Sequence, residues 1–144
     1  MPTASTPLFR RVLCPVDFSG HARTALRYAA ALARRSGGAL GVLFVNDPPL
    51  VAAAAAAYNR QSLGAASRGE LERFVATTLG ARGTRGLTIR YETALGPPAR
   101  EILKAAQAGR YDSLVVGTKG LNGARRLFFG STTSALLRKT MVPI

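Results

Sequence analysis

The sequence predicts an α/β fold, a single doubly wound domain in which helices cover both faces of a parallel sheet. Two observations carry that reading. Short, almost continuously apolar runs, too short for helices, alternate along the chain with longer stretches of helical period, and glycines and prolines punctuate the changes. Strands buried on both faces read in this way, and strand-helix repetition of this kind forms parallel sheets through right-handed crossovers.

The first strand is Arg11 to Val16, apolar and ending at Asp17, and Ser19 is a good N-cap for the helix that follows. In that helix Ala22, Ala25, Leu26, Ala29, Ala30 and Ala33 form one stripe, whose small side chains permit close packing on a sheet, and Gly37 and Gly38 stop it. Leu40 to Val45 is the second strand, bounded by glycines and by Asp47-Pro48-Pro49. Residues 48–66 predict a loop or lid with one short helix in the alanine run. Ser67 and Glu70 then form a capping box that opens a helix with Leu71, Phe74, Val75 and Leu79 on one face. Leu87, Ile89 and Tyr91 alternate with Thr88, Arg90 and Glu92, the pattern of a half-exposed edge strand. Pro97 and Pro98 start a helix that turns Ala99, Ile102, Leu103 and Ala106 inward and closes at Gly109. Ser113 to Val116 is the fourth strand, and a last helix begins near Ser131.

Composition sets limits on function. The chain has 144 residues, 47% hydrophobic and 19% charged, which fits one globular domain over residues 1–144, with 1–8 a flexible N-terminus. No apolar run reaches the roughly 18 residues of a membrane span, and Met1 to Arg11 lacks the apolar stretch of a signal peptide, so a cytoplasmic location is expected. The single cysteine, Cys14, lies in an apolar strand and reads as a buried small hydrophobe. Twenty Lys and Arg against seven acids give a net charge of +13, but the arginines are spread along the chain without a basic tail or an aromatic-basic RNA signature. No specific nucleic-acid role follows from that charge.

The chemistry concentrates near the C-terminus, where Gly117, Gly120 and Gly130-Ser131 lie between the fourth strand and the last helix. A backbone that must approach an anion closely favours glycine, and a helix N-terminus offers unpaired N–H groups with partial positive charge. Ligands of open α/β sheets bind at the carboxyl ends of strands where the strand order switches, and Asp17, Val45 and Gly117 all fall at such ends. The pattern reads as a nucleotide-phosphate site. Each residue also has a plainer reading: Asp17 and Ser19 as helix caps, the glycines as turns, Lys119, Arg125 and Arg126 as surface charges. His21 reads as an exposed residue of its helix's first turn. No Gly-x-x-x-x-Gly-Lys-Ser/Thr loop, Gly-x-Gly-x-x-Gly fingerprint or Gly-x-Ser-x-Gly elbow is present, and no constellation supplies a base for hydrolysis. Dedicated catalysis is not expected, although slow nucleotide hydrolysis could arise in such a site.

Two motifs together, Cys14-Pro15-Val16-Asp17-Phe18-Ser19 and Gly117-Thr118-Lys119-Gly120 leading into Gly130-Ser131, resemble the universal stress protein family in its nucleotide-binding branch. The resemblance runs from about Phe9 and includes the Gly96-Pro97 turn and Tyr111-Asp112. It implies a five-stranded sheet of order 3-2-1-4-5, ATP or a related adenine nucleotide (ADP or AMP) in the crevice, and a homodimer acting as a stress-response sensor or regulator. Carried over residue by residue, Pro15, Val16 and Asp17 line the nucleoside end, and Val45 and Val116 give apolar contact. Gly117, Lys119 and Gly120 surround ribose and phosphates, and Gly130, Ser131, Thr132 and Thr133 present donors to phosphate oxygens. Mg²⁺ is expected only as a bridge between phosphates, since no acidic cage is visible. The family pattern continues beyond the point where Met141-Val142-Pro143-Ile144 stops. The fifth strand is therefore expected to be short and the dimer weakened. The alternative function is a dimeric interaction protein of the same fold that needs no nucleotide.

Overall fold

The computed structural model describes residues 8–47, 60–118 and 131–144, with the backbone alone for 60–66. Its described elements are β1 (Arg11–Val16), α1 (Gly20–Arg35), β2 (Ala39–Asn46), α2 (Arg60–Thr84), β3 (Thr88–Leu95), α3 (Pro98–Ala108), β4 (Ser113–Leu114) and α4 (Ser131–Lys139). The four strands are parallel in the order β3-β2-β1-β4. The predicted doubly wound architecture is therefore the one observed.

Alternation along β1 explains the two layers. Val12, Cys14 and Val16 point to the face covered by α1 and α2, where Ala22, Ala25, Leu26, Ala29, Ala30 and Ala33 meet Leu71, Phe74 and Val75. All six predicted stripe residues of α1 are buried. Leu13 points to the opposite face, against Ile102 and Ala106 of α3 and Leu136 of α4. Fully buried leucines such as Leu13, Leu26 and Leu40 each contribute about 1.5–3 kcal/mol through removal from water. Cys14 lies in this core, as expected, and burial pushes its thiol up to about 12, which leaves it inert as a nucleophile.

The short contact of β1 with β4 is reinforced at its start by Asp112. Its carboxylate accepts the backbone N–H groups of Phe9 (3.1 Å), Arg10 (2.9 Å) and Arg11 (3.0 Å), while its own N–H donates to Arg11 O (2.9 Å). Successive N–H groups can converge in this way only where the chain turns sharply, and Phe9 takes the left-handed φ of 65° that a non-glycine residue rarely adopts.

Three boundaries differ from the sequence reading. Ser67 does not cap a helix, because α2 already begins at Arg60; Ser67 is buried inside it and its hydroxyl donates to Asn46 Oδ1 at 3.1 Å. The expected loop at 48–66 therefore gives way to helix from residue 60, while 48–59 lie outside the described residues. The edge strand runs on to Leu95, three residues beyond the predicted alternation, because β2 pairs with it as far as Asn46. Ladder pairing in β4 covers Ser113 and Leu114 instead of extending to Val116, with one further bond from Val115 N to Leu13 O at 2.9 Å. On the outer side of β4, Leu114 N donates to Pro143 O at 2.8 Å, so the C-terminal segment lies where a fifth strand is expected although no fifth strand forms among the described residues. No helix among the described residues is long and apolar enough to cross a membrane.

Two substitutions test this packing. Replacing Asp112 with Ala leaves three strand-entry N–H groups without their acceptor, and a loss of about 2–3 kcal/mol in urea unfolding is expected, with a smaller loss for Asp112→Asn. Among the glycines, Gly41 faces Tyr111 so closely that a Cβ would overlap the phenol, whereas a Cβ on Gly69 in α2 meets nothing within 4 Å. Gly41→Ala should cost about 1–3 kcal/mol through overpacking, and Gly69→Ala should stabilise by about 0.5–1 kcal/mol through helix propensity. The same unfolding measurement reads both.

Candidate functional site

Parallel pairing sends the ends of β1, β2 and β4 to one edge of the sheet. The chain leaves β1 for α1 on one face and reaches β4 from α3 on the other, so the order switches between β1 and β4, the place where open α/β sheets offer a crevice to a ligand. Pro15, Val16 and Asp17 close β1, Val45 lies near the end of β2, and Val116 and Gly117 follow β4. Val16 is buried, and the other five are half-buried. Lys119, Gly120 and Gly130 lie outside the described residues.

Asp17 is oriented locally. Its Oδ1 accepts the N–H of Ser19 at 3.1 Å, and Ser19 in turn caps α1, its Oγ accepting the N–H of Ala22 at 3.1 Å. Capping and orientation of the carboxylate thus coexist in one turn: the plainer role of helix cap is present for Ser19, while the Asp17 carboxylate bonds the N–H of the cap residue itself. The turn is held from above by Phe18, which the sequence reading left without a role. It adopts a left-handed φ of 63°, and its ring packs 4.6 Å from Phe44 and 5.3 Å, edge-on, from Phe74. Arg23 covers the outer face of Phe74 at 4.5 Å and donates to Thr78 Oγ1 at 2.8 Å. Aromatic anchoring from β2 and α2 compensates the backbone strain at Phe18 and fixes where Asp17 emerges. The only signal in the sequence was an apolar ring between two polar turn residues.

The first turn of α4 is fastened to the end of β4. Thr133 is buried and its hydroxyl donates to Gly117 O at 2.8 Å. Its hydroxyl proton is therefore engaged within the protein, and Thr133 acts here by positioning; Ser131 is exposed and Thr132 half-exposed at the same helix start. Gly117 also lies against α1, where a Cβ would stand 3.1 Å from His21 C and 3.2 Å from His21 O. A side chain there would push the end of β4 and the first turn of α1 apart by a few tenths of an ångström. His21 itself is exposed, as predicted. Among the described residues no cluster of three His, Cys, Asp or Glu could hold a metal ion.

Residues 8–144 match the profile of the Universal stress protein family. The chain belongs to the universal stress protein family. A universal stress protein of Thermus aquaticus, described as lying in the QAH/OAS sulfhydrylase 3' region, is 29% identical over 140 residues, covering 95% of this chain and 97% of its own. Among solved structures, hypothetical protein MJ0577 is 21% identical with a TM-score of 0.77, covering 95% of this chain and 94% of that one. A universal stress protein solved in complex with cAMP is 19% identical with a TM-score of 0.66, covering 96% of both chains. These two likenesses establish the shared fold.

The Thr133 tie is separable by substitution. Thr133→Val keeps the shape but leaves the Gly117 carbonyl without its donor, and should lower stability by about 1–3 kcal/mol in urea unfolding, while Thr133→Ser should retain most of it. A loss in Thr133→Ser with none in Thr133→Val would mean that the methyl group, not the hydroxyl, matters.

Proposed function

We propose that the chain binds an adenine nucleotide, ATP, ADP or AMP, in the crevice between the ends of β1 and β4, and acts as a nucleotide-responsive module of the stress response. The observation that carries this is the bond from Thr133 to Gly117, which holds the start of α4 beside the end of β4, where Gly117 lies against the first turn of α1. A helix N-terminus, a close-approach glycine and an oriented carboxylate then share one edge of the sheet. Asp17 takes the amino group of adenine or the hydroxyls of ribose, while Pro15, Val16, Val45 and Val116 make the apolar contacts. Gly117, Lys119 and Gly120 surround ribose and phosphates, and Gly130, Ser131 and Thr132 present donors to the phosphate oxygens. Mg²⁺ joins through the phosphates alone. The cAMP complex of a relative with this fold gives independent support that the fold accommodates a nucleotide.

Homodimerisation belongs to the same proposal. Leu137, Met141 and Ile144 are exposed large apolar side chains in the C-terminal part of the chain, and Pro143 already pairs beside β4. A second copy would cover them.

Calorimetric titration with ATP and adenosine tests the nucleotide reading. Asp17→Ala should weaken both ligands alike, by about 1–3 kcal/mol or roughly 5- to 150-fold. Gly130→Val should weaken ATP far more than adenosine, because a side chain there would obstruct phosphate approach. If natively purified protein releases no adenine nucleotide on heating and ATP produces no thermal shift, the nucleotide reading loses its support and the alternative, an interaction protein that works without nucleotide, is favoured.

A further inference from the structure

The face of the sheet that carries α3 has a second concavity, well away from the strand ends that form the crevice. Because β3 alternates, its Ile89 and Tyr91 pack with the α1 and α2 layer, and Arg90 and Glu92 point to the opposite face. There they meet the C-terminal end of α3. The result is a cavity of about 560 Å³ lined by Arg11, Arg90, Glu92, Ala105, Ala108 and Arg110. Its size falls in the range of small-molecule sites. Arg11 begins β1 and Asp17 follows its end, so the two concavities are separated by roughly 20 Å, a strand's length.

Part of the lining is held in place. Tyr111 is buried, and its hydroxyl donates to Glu92 Oε1 at 3.0 Å, fixing the carboxylate. The absence of a side chain on Gly41 is what allows the phenol to lie there. Burial and the neighbouring Glu92 push the Tyr111 hydroxyl up to about 12, so it remains a neutral donor. Arg11 is held by its Nε, which donates to Gly109 O at 3.0 Å, and its guanidinium lies 5.6 Å from the Tyr111 ring centroid. The guanidinium groups of Arg90 and Arg110 have no hydrogen-bond or ion-pair partner among the described residues. Three arginines and one glutamate thus line the cavity, an excess of two positive charges.

We propose that this cavity is a second ligand site, for a small phosphate monoester that also carries hydroxyl groups. A phosphate monoester bears about −1.5 to −2 charges at pH 7, which matches the excess, and guanidinium groups suit its oxygens through paired donors. Glu92 would repel a bare anion but accepts from a hydroxyl, so the carboxylate selects for the organic part of the ligand. Ala105 and Ala108 give the carbon skeleton an apolar wall.

Titration calorimetry on the full chain tests this with glucose 6-phosphate, glycerol 3-phosphate, inorganic phosphate and glucose as probes. The two esters should bind, more weakly as salt rises, and glucose should not. Arg90→Gln combined with Arg110→Gln should weaken ester binding at least about tenfold, a change of roughly 1.4 kcal/mol. Two controls separate this site from charge in general and from the crevice: Arg27→Gln with Arg35→Gln removes the same charge from α1, and Asp17→Ala alters the crevice. Both should leave ester binding within about twofold of the unaltered chain. Glu92→Gln should narrow the preference for the esters over inorganic phosphate. Absence of ester binding, inorganic phosphate binding as tightly as the esters, or equal loss in the α1 control would overturn the proposal. A loss in Asp17→Ala matching that of the arginine pair would assign the esters to the crevice.

Discussion

The convergence of three backbone N–H groups on the Asp112 carboxylate is the interaction on which the placement of everything else depends. Parallel pairing between β1 and β4 covers only two residue pairs, too few to define a register firmly. Asp112 adds three charge-assisted bonds at the entry to β1, the last of them to its first residue, and Ser113 Oγ donates to the same carboxylate at 2.9 Å. The next link is to β2, whose first residue donates from Ala39 N to Arg10 O at 2.8 Å. One side chain therefore aligns the start of β1 with β4 and, through the adjoining backbone, with β2. Since all the strands run the same way, alignment at their beginnings determines where their ends emerge, and those ends form the crevice.

At the far end the same strands are held by contacts of a different kind. The Asp17 turn depends on apolar anchoring of Phe18 between Phe44 and Phe74, and the end of β4 depends on a hydroxyl from α4. Aromatic packing is tolerant of small shifts, while a hydrogen bond of 2.8 Å is not. A ligand entering between the two sides would thus meet one wall set by packing and one set by a directional bond. The wall on the Gly117 side is the more closely defined.

Most of the fold was legible in the sequence because it rests on local periodicity. The alanine stripe of α1, the Ser19 cap and the short apolar strands each follow from spacing within a single element. What was misread depended on contacts remote in sequence. Ser67 and Glu70 satisfy the pattern of a capping box, yet Ser67 instead meets Asn46 of β2, twenty-one positions away, and the helix continues through it. Further along, the helical path of α2 breaks at Gly80, where φ is 67°, and resumes to Thr84. The strand ends at Asp17, Val45 and Gly117 could be brought together from topology alone. The engagement of Thr133 could not, since a hydroxyl near a helix start fits both a ligand donor and an internal tie.

The two faces of the sheet differ in how far the helices cover it, and this difference accounts for the position of the second concavity. On the α1 and α2 face, apolar residues of β1, β2 and β3 are all met by helix, including Ile89 and Tyr91 at the edge. On the opposite face α3 and α4 pack mainly over the centre, where Leu13, Leu43 and Leu114 lie. The edge strand there must satisfy itself with polar side chains, and Arg90 and Glu92 supply them. A sequence that alternates Ile89, Arg90, Tyr91 and Glu92 reads simply as a half-exposed edge. The structure adds that its exposed half is not flat: the end of α3, with Gly109 and Arg110, rises beside it, and Arg11 reaches across from β1. A pattern that ordinarily serves solvation is thereby folded into a concave surface with positive charge on three sides.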